Sequence, residues 1–284
     1  MGHRTTGRLS SAHQARVSSA QAGEIMRLAL RVEYRGTRYC GWETQRHDIA
    51  VQAVLEEALA AIADHPVATV CAGRTDAKVH AFGQIVHFDT MAERPLRAWT
   101  LGCNAKLPAD ISVTWAAKVA DDFHARFSAR ERRYRYVIFN STVRSALRAH
   151  QVAWVHRPLR FEPMQAAARH LVGRHDFSAF RAAGCQAKNP VRKVRALRLW
   201  QRGELIGLEI AANAFLQHMV RNIAGTLMEV GQGKREPDSV AHVLAAKDRR
   251  LAGPTASPDG LYFLGPVYPR RFGIPAIPRK LALW

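Results

Sequence analysis

The sequence is poor in acidic side chains, in cysteine and in long apolar runs, and each of these shortages argues against some kinds of protein. Its 23 Asp and Glu residues are opposed by 42 Lys and Arg, which leaves a formal net charge of +19. The electrostatic field of so large a positive charge favours a polyanionic partner, and nucleic acid is the first candidate. A general bias of the genome towards Arg would give the same composition, so the charge alone does not decide between these explanations.

The four cysteines, Cys40, Cys71, Cys103 and Cys185, lie too far apart in the sequence to form a Cys-x-x-Cys pair. This spacing argues against zinc-knuckle and thioredoxin-type motifs, and we expect reduced, mostly buried thiols. The longest apolar runs fall far short of the roughly 20 residues that cross a bilayer, and no hydrophobic signal core is seen near the start. The chain is therefore expected in the cytoplasm, with no membrane partner.

Local patterns predict an order of elements that suggests two domains. Residues 1–25 contain almost no large apolar side chains and are expected to be a disordered extension. The predicted elements are a strand at 27–34, a helix with its apolar stripe from Val51 to Ile62, strands at 69–72, 85–88 and 132–139, a helix at 163–171, a hairpin of 194–200 and 205–210, and a helix from Met219 to Met228 stopped by Gly231. This order predicts an α+β fold in which two similar domains, 26–118 and 119–284, each carry a mixed or antiparallel sheet with helices on one face and enclose a central cleft.

A polar segment between two of the predicted strands carries Asp76 in the sequence AGRTDAKVHAFGQ, residues 72–84. Arg74 is two residues away, so on an extended loop both side chains can project to one side, where a guanidinium favours an ionised carboxylate. An ionised Asp suits a nucleophile or a base. For an arbitrary loop, an ion pair or a turn cap is nevertheless the commoner role, and only the context can overturn it.

That context is a run in which cations alternate with rings, FHARFSARERRYRY at residues 123–136. Guanidinium groups bind phosphates and rings stack on splayed-out bases, which are the two requirements for holding a nucleotide of folded RNA. For Tyr136 and Phe139 we favour burial on the core side. Tyr134, two residues before Tyr136 on the same strand, should share its face.

Arg221 stands beside the apolar stripe near the start of its helix, where an unpaired cation would meet an unfavourable dipole. A carboxylate partner is therefore expected, and Asp76 is an economical choice. The alternative is a surface Arg bound to solvent or to an RNA phosphate. The sequence does not decide between them.

Six segments, taken together, resemble the tRNA pseudouridine synthase A family nearly from end to end. They are VEYRGTRYCGWETQ (32–45), GRTDAKVHAFGQIVHF (73–88), NAKLPAD (104–110), DFHARFSARERRYRY (122–136), residues 214–231 and AAKDRRLAGPTASPDGL (245–261). The resemblance implies two α+β domains around a positively charged cleft. It also implies a homodimer in which one tRNA touches both subunits.

The resemblance further implies the reaction and its residues. Uridines in the anticodon stem and loop of tRNA, at about positions 38 to 40, would be flipped out and isomerised to pseudouridine. Asp76 falls on the family's nucleophile and Tyr134 on the Tyr that stacks on the uracil. Arg74 falls on the Arg that binds RNA and holds the flipped base, and Arg221 on the Arg that pairs with the nucleophile. This isomerisation needs no redox step, so no cofactor or metal is expected, in keeping with the lack of phosphate loops, metal-ligand clusters and dinucleotide fingerprints.

Two positions depart from the family pattern. Lys78 stands where the motif has Gly, and Glu43 stands where Gln is usual. Lys78 either adopts an ordinary conformation and adds a cation for RNA, or it strains the loop and lowers activity. A non-catalytic RNA-binding protein or RNA chaperone that uses the same cleft is the alternative function. A zinc-dependent base deaminase is disfavoured because the sequence has no His-x-Glu with Pro-Cys-x-x-Cys.

Overall fold

The computed structural model describes residues 24–45 and 48–276, so nearly all of the extension predicted for residues 1–25 lies outside the described residues. The strands are β1 (Met26–Tyr34), β2 (Val70–Cys71), β3 (His80–Thr90), β4 (Ile111–Lys118), β5 (Glu131–Asn140), β6 (Ala153–Val155), β7 (Gly173–Asp176), β8 (Val191–Arg202), β9 (Leu205–Ala212) and β10 (Leu261–Val267). The helices are α1 (Val51–Ala63), α2 (Phe161–Arg169), α3 (Met219–Gly231) and α4 (Ser239–Ala246).

Ten strands of the described chain form one mixed sheet in the order β4-β1-β3-β10-β5-β9-β8-β7, with β2 paired to β3 and β6 paired to β5. β10 lies in the middle, parallel to β3 and antiparallel to β5. It therefore joins the strands of the first half of the sequence to those of the second. The predicted α+β class is confirmed, whereas the division into two domains near residue 119 stays a prediction.

Each half of the sheet has its own hydrophobic core. In the first half α1 buries Val51, Leu55 and Leu59, spaced four residues apart as on one helical face, in a cluster that also contains Leu28 and Leu30 of β1. In the second half α3 packs in a cluster with residues of β5 and β9. Burial of these apolar side chains is the main source of stability in each half.

The predicted elements of the second half are found, with small shifts of their ends. Tyr136 and Phe139 are buried, as expected, and the turn between β8 and β9 has Gly203 in the left-handed region at φ 55°. Gly231 is the last residue of α3, but the left-handed glycine beyond the helix is Gly233 at φ 71°. Within residues 24–45 and 48–276, no helix combines the length and the apolar character needed to cross a membrane.

Candidate active site

Asp76 lies in the loop of residues 72–79, between β2 and β3, and a neighbouring backbone segment holds this loop. The Trp42 N–H donates to the Thr75 carbonyl at 3.0 Å, and Gly41 forms an isolated antiparallel bridge with Asp76. Gly41 has φ +118°, and a Cβ at this position would lie 2.6 Å from the Thr75 carbonyl oxygen. The close approach that fixes the loop therefore requires glycine.

The Asp76 carboxylate faces the start of α3. Arg221 Nη1 lies 3.5 Å from Asp76 Oδ2, and His218 Nε2 lies 3.4 Å from the same oxygen. The Arg221 side chain is mostly buried, whereas about 29% of the Asp76 side chain remains exposed. The carboxylate is thus held by its neighbours from one side and open to solvent, where a substrate could approach it.

The segment between α4 and β10 fixes Arg221 at the start of α3. Arg221 Nε donates to the Ala256 carbonyl at 2.8 Å, and the Ala256 N–H donates to the Arg221 carbonyl at 3.2 Å. The next residue, Asn222, is fully buried, and its Oδ1 accepts from Thr255 Oγ1 at 2.7 Å and from Arg249 Nη2 at 3.1 Å. These bonds satisfy buried polar groups and so limit the positions that the Arg221 guanidinium can take.

Tyr134 projects from β5 beside the Asp76 loop. Its ring lies 4.9 Å from those of both Phe215 and Phe263, measured between centroids, and is only partly buried. A Cβ on Gly73 of the loop would lie 4.0 Å from the Tyr134 hydroxyl, which shows how close the two elements are. Burial, and to a smaller extent the charge of Asp76, raises the pKa of Tyr134. The phenol is therefore neutral at pH 7 and can offer a ring face together with a hydroxyl donor.

Comparison with known proteins shows which family this chain belongs to. The family model described as tRNA pseudouridine synthase matches residues 30–128 and 167–269. The chain belongs to the tRNA pseudouridine synthase A family. A Pseudomonas aeruginosa protein named tRNA pseudouridine synthase A is 55% identical over 262 residues, 92% of each chain. A Hydrogenovibrio crunogenus protein of the same name is 52% identical over 257 residues, 90% of this chain and 98% of its own. The predicted family and enzyme class, an isomerase, are confirmed.

Arg74 of the tRNA pseudouridine synthase A motif does not pair with the carboxylate next to it in sequence. Arg74 Nη2 lies 2.6 Å from Glu43 Oε1, and this ion pair is largely exposed. Among the described residues, the guanidinium that contacts Asp76 is that of Arg221. The expected effect of Arg74 on Asp76 is thus corrected: the loop directs the Arg74 side chain towards the segment that holds the loop.

Lys78 takes a backbone conformation that suits the glycine of the family motif. Its φ is 66°, in the left-handed region, and the Val79 N–H donates to the Asp76 carbonyl at 3.2 Å across a tight turn. Lys78 is the third residue of this turn, and turns with a positive φ there favour Gly. The ordinary conformation considered for Lys78 is therefore wrong, and the strained alternative describes the loop.

His218 is the residue near Asp76 that the sequence reasoning missed. It precedes α3 in the left-handed region, at φ 62°, and Asn222 N–H donates to its carbonyl at 2.8 Å. His218 lies just before α3 and outside its helical backbone, so the period that places residues three apart on one helical face does not extend to it. The sequence therefore carried no periodic signal for His218.

Proposed function

We propose that this chain isomerises uridine to pseudouridine in the anticodon stem and loop of tRNA, at about positions 38 to 40. Asp76 acts as the nucleophile. The observation that carries the proposal is the convergence of Arg221 and His218 on Asp76 Oδ2, in a chain of the tRNA pseudouridine synthase A family. Arg221 and His218 both come closest to Oδ2, which leaves Oδ1 as the freer oxygen. We therefore assign the attack on C1′ of the ribose to Oδ1.

The reaction breaks the bond between N1 and C1′, turns the uracil and rejoins it to the ribose through C5. In one route Asp76 forms an ester with C1′ as the N1 bond breaks, and C5 later displaces the carboxylate. In the other route Asp76 acts as a base that takes the C2′ proton as the N1 bond breaks, which leaves a glycal, and it returns that proton to C2′ when C5 bonds to C1′. In both routes C5 loses a proton and N1 gains one, so the product is an isomer of the substrate and no cofactor takes part.

The other residues hold the nucleotide out of its stack. Tyr134 stacks on the uracil, supported by the packing of its ring against Phe215 and Phe263. Arg74 leaves Glu43 to bind RNA and to fill the position that the flipped base has vacated. Extrusion costs a few kcal/mol, and phosphate and stacking contacts of this kind offset it.

The test is pseudouridine mapping on total tRNA with the wild type and with Asp76→Asn. The variant should abolish turnover and leave tRNA affinity within about tenfold, equivalent to roughly 1.4 kcal/mol, because the amide keeps the size of the carboxylate. Asp64→Asn is the matched control, since Asp64 is an exposed Asp at the end of α1. Turnover by Asp76→Asn would refute the assignment of Asp76 as the nucleophile. If the wild type binds tRNA without turnover, the result would favour a non-catalytic RNA-binding protein.

We also propose that the two halves of the sheet act as two domains around a positively charged cleft, in a cytoplasmic homodimer that binds one tRNA across both subunits. The net charge of +19 supports the electrostatic part of this proposal. Light scattering with and without tRNA measures the stoichiometry. A monomer that binds one tRNA with full activity would contradict the dimer.

A further inference from the structure

Three rings in contact run outward from the core and end on an exposed phenylalanine; the inner pair is tilted, at 57°, and the outer pair is stacked. His87 is buried, its ring centroid lies 4.8 Å from that of His124, and the His124 ring lies 4.3 Å from Phe127 at an interplanar angle of 28°. Phe127 is 75% exposed. The Arg126 guanidinium lies over the Phe127 ring, with its carbon 5.6 Å from the ring centroid. A large apolar ring that projects this far from a supporting stack can accept a further planar group.

The turn that carries Phe127 is fixed by hydrogen bonds. His124 Nδ1 accepts from the backbone N–H groups of Arg126 and Phe127, each at 3.2 Å. The His124 N–H donates to Ser128 Oγ at 3.0 Å, and the Ser128 N–H donates back to the His124 carbonyl at 2.9 Å. Burial and the charge of Arg27 lower the pKa of His124, which leaves Nδ1 free to accept both bonds at pH 7. These hydrogen bonds fix the backbone that carries Phe127, whose ring lies against that of His124.

This turn adjoins the loop that carries Asp76. The Arg132 guanidinium donates from Nη2 to the Ala72 carbonyl at 3.2 Å, and the same Nη2 donates to the Arg126 carbonyl. Burial raises the pKa of the Cys71 thiol, and the nearby charges of Arg74 and Arg126 oppose this rise, which places both cations near the start of the loop. An RNA strand that delivers a nucleotide to Asp76 therefore passes cations that suit its phosphates.

We propose that Phe127 is a second base-stacking site, which receives an unpaired base of the tRNA close to the target uridine. This inference rests on the proposed function, because that function supplies an RNA whose neighbouring bases must be separated. Arg126 binds a phosphate of the same strand, and His124, which itself packs against the buried His87, supports the Phe127 ring from below. The site holds the strand in register and does not take part in the chemistry.

The experiment measures the Kd for unmodified tRNA over a series of KCl concentrations, together with kcat and KM for pseudouridine formation. Phe127→Ala should raise Kd and KM about tenfold, equivalent to roughly 1.4 kcal/mol, because the variant loses a base–aromatic stack. It should leave kcat and the salt slope unchanged, since stacking releases no counterions. Phe127→Trp should restore tight binding, and Arg126→Gln should reduce the salt slope by about one phosphate contact.

Leu147→Ala is the matched control, because Leu147 is an apolar side chain that is 91% exposed in another loop. An equal loss of affinity in this control, or less than a twofold change in Phe127→Ala, would overturn the proposal. A change of oligomeric state in Phe127→Ala would also overturn it and would assign the ring to contact with a second copy. If the wild type binds tRNA but forms no pseudouridine, the proposed reaction fails. Weaker tRNA binding by Phe127→Ala than by the wild type would still support the stacking site in that case.

Discussion

Replacing Lys78 by glycine should stabilise the protein, because Lys78 is held at φ 66° by the turn that follows Asp76. An L-residue in the left-handed region costs about 1–2 kcal/mol. Glycine removes that cost but loses about 0.4–1 kcal/mol through the greater entropy of its unfolded chain. The net gain is about 1 kcal/mol, which corresponds to a rise in Tm of about 2–4 °C for a chain of this size.

Urea and thermal unfolding of the wild type, Lys78→Gly and Lys78→Ala measure this effect. Alanine keeps the Cβ and hence the strain, but it removes the charge, so its stability should stay within about 0.5 kcal/mol of the wild type. The reasoning is refuted if Lys78→Gly is no more stable than Lys78→Ala. If the ammonium group contacts a phosphate, both variants should weaken tRNA binding equally and reduce its salt slope by about one.

Three further perturbations follow from the contacts described above. Glu43→Gln should tighten tRNA binding by up to about fivefold, because Arg74 no longer has to leave a carboxylate, and an unchanged Kd would contradict this. His218→Ala should lower kcat about tenfold at little-changed KM, and His218→Gln should recover part of it if a donor to Asp76 is what matters. Burial lowers the pKa of His87 from 6.5 to about 4. Between pH 6.5 and about pH 4 the unfolded chain binds more protons than the folded protein does. The free energy of unfolding should therefore fall by up to about 3 kcal/mol as the pH is lowered through this range. His87→Gln should reduce that fall, as measured by urea titrations at each pH.

The elements predicted well are those with a regular pattern in the sequence. α1 and α3 carry apolar stripes at helical spacing, β5 alternates basic with aromatic or aliphatic residues, and Gly203 marks the turn between β8 and β9. β10 was not predicted, because it is buried along almost its whole length and lies in a Gly- and Pro-rich stretch. The start of β3 was missed for a related reason. His80 is polar, yet it is buried by stacking on Tyr262 at 4.7 Å and by accepting the Gly36 N–H at 3.1 Å.

The residues of the candidate site were chosen from the sequence, but their pairing was not. Arg221 was expected to need an anion, and only the fold brings its guanidinium to within 3.5 Å of Asp76, 145 positions earlier in the chain. The pairing of Arg74 with Glu43 depends on the path of one loop across another. His218 reaches Asp76 from a left-handed residue, a geometry that no periodic pattern encodes.

The central position of β10 also bears on the order in which the protein can be made. β3, which follows Asp76, and β5, which carries Tyr134, are synthesised well before the strand that lies between them. During translation each half can form its own hydrophobic core, but β3 and β5 cannot be joined in one sheet until residues 261–267 have left the ribosome. Asp76 and Tyr134 therefore reach their final spacing only after β10 has been made.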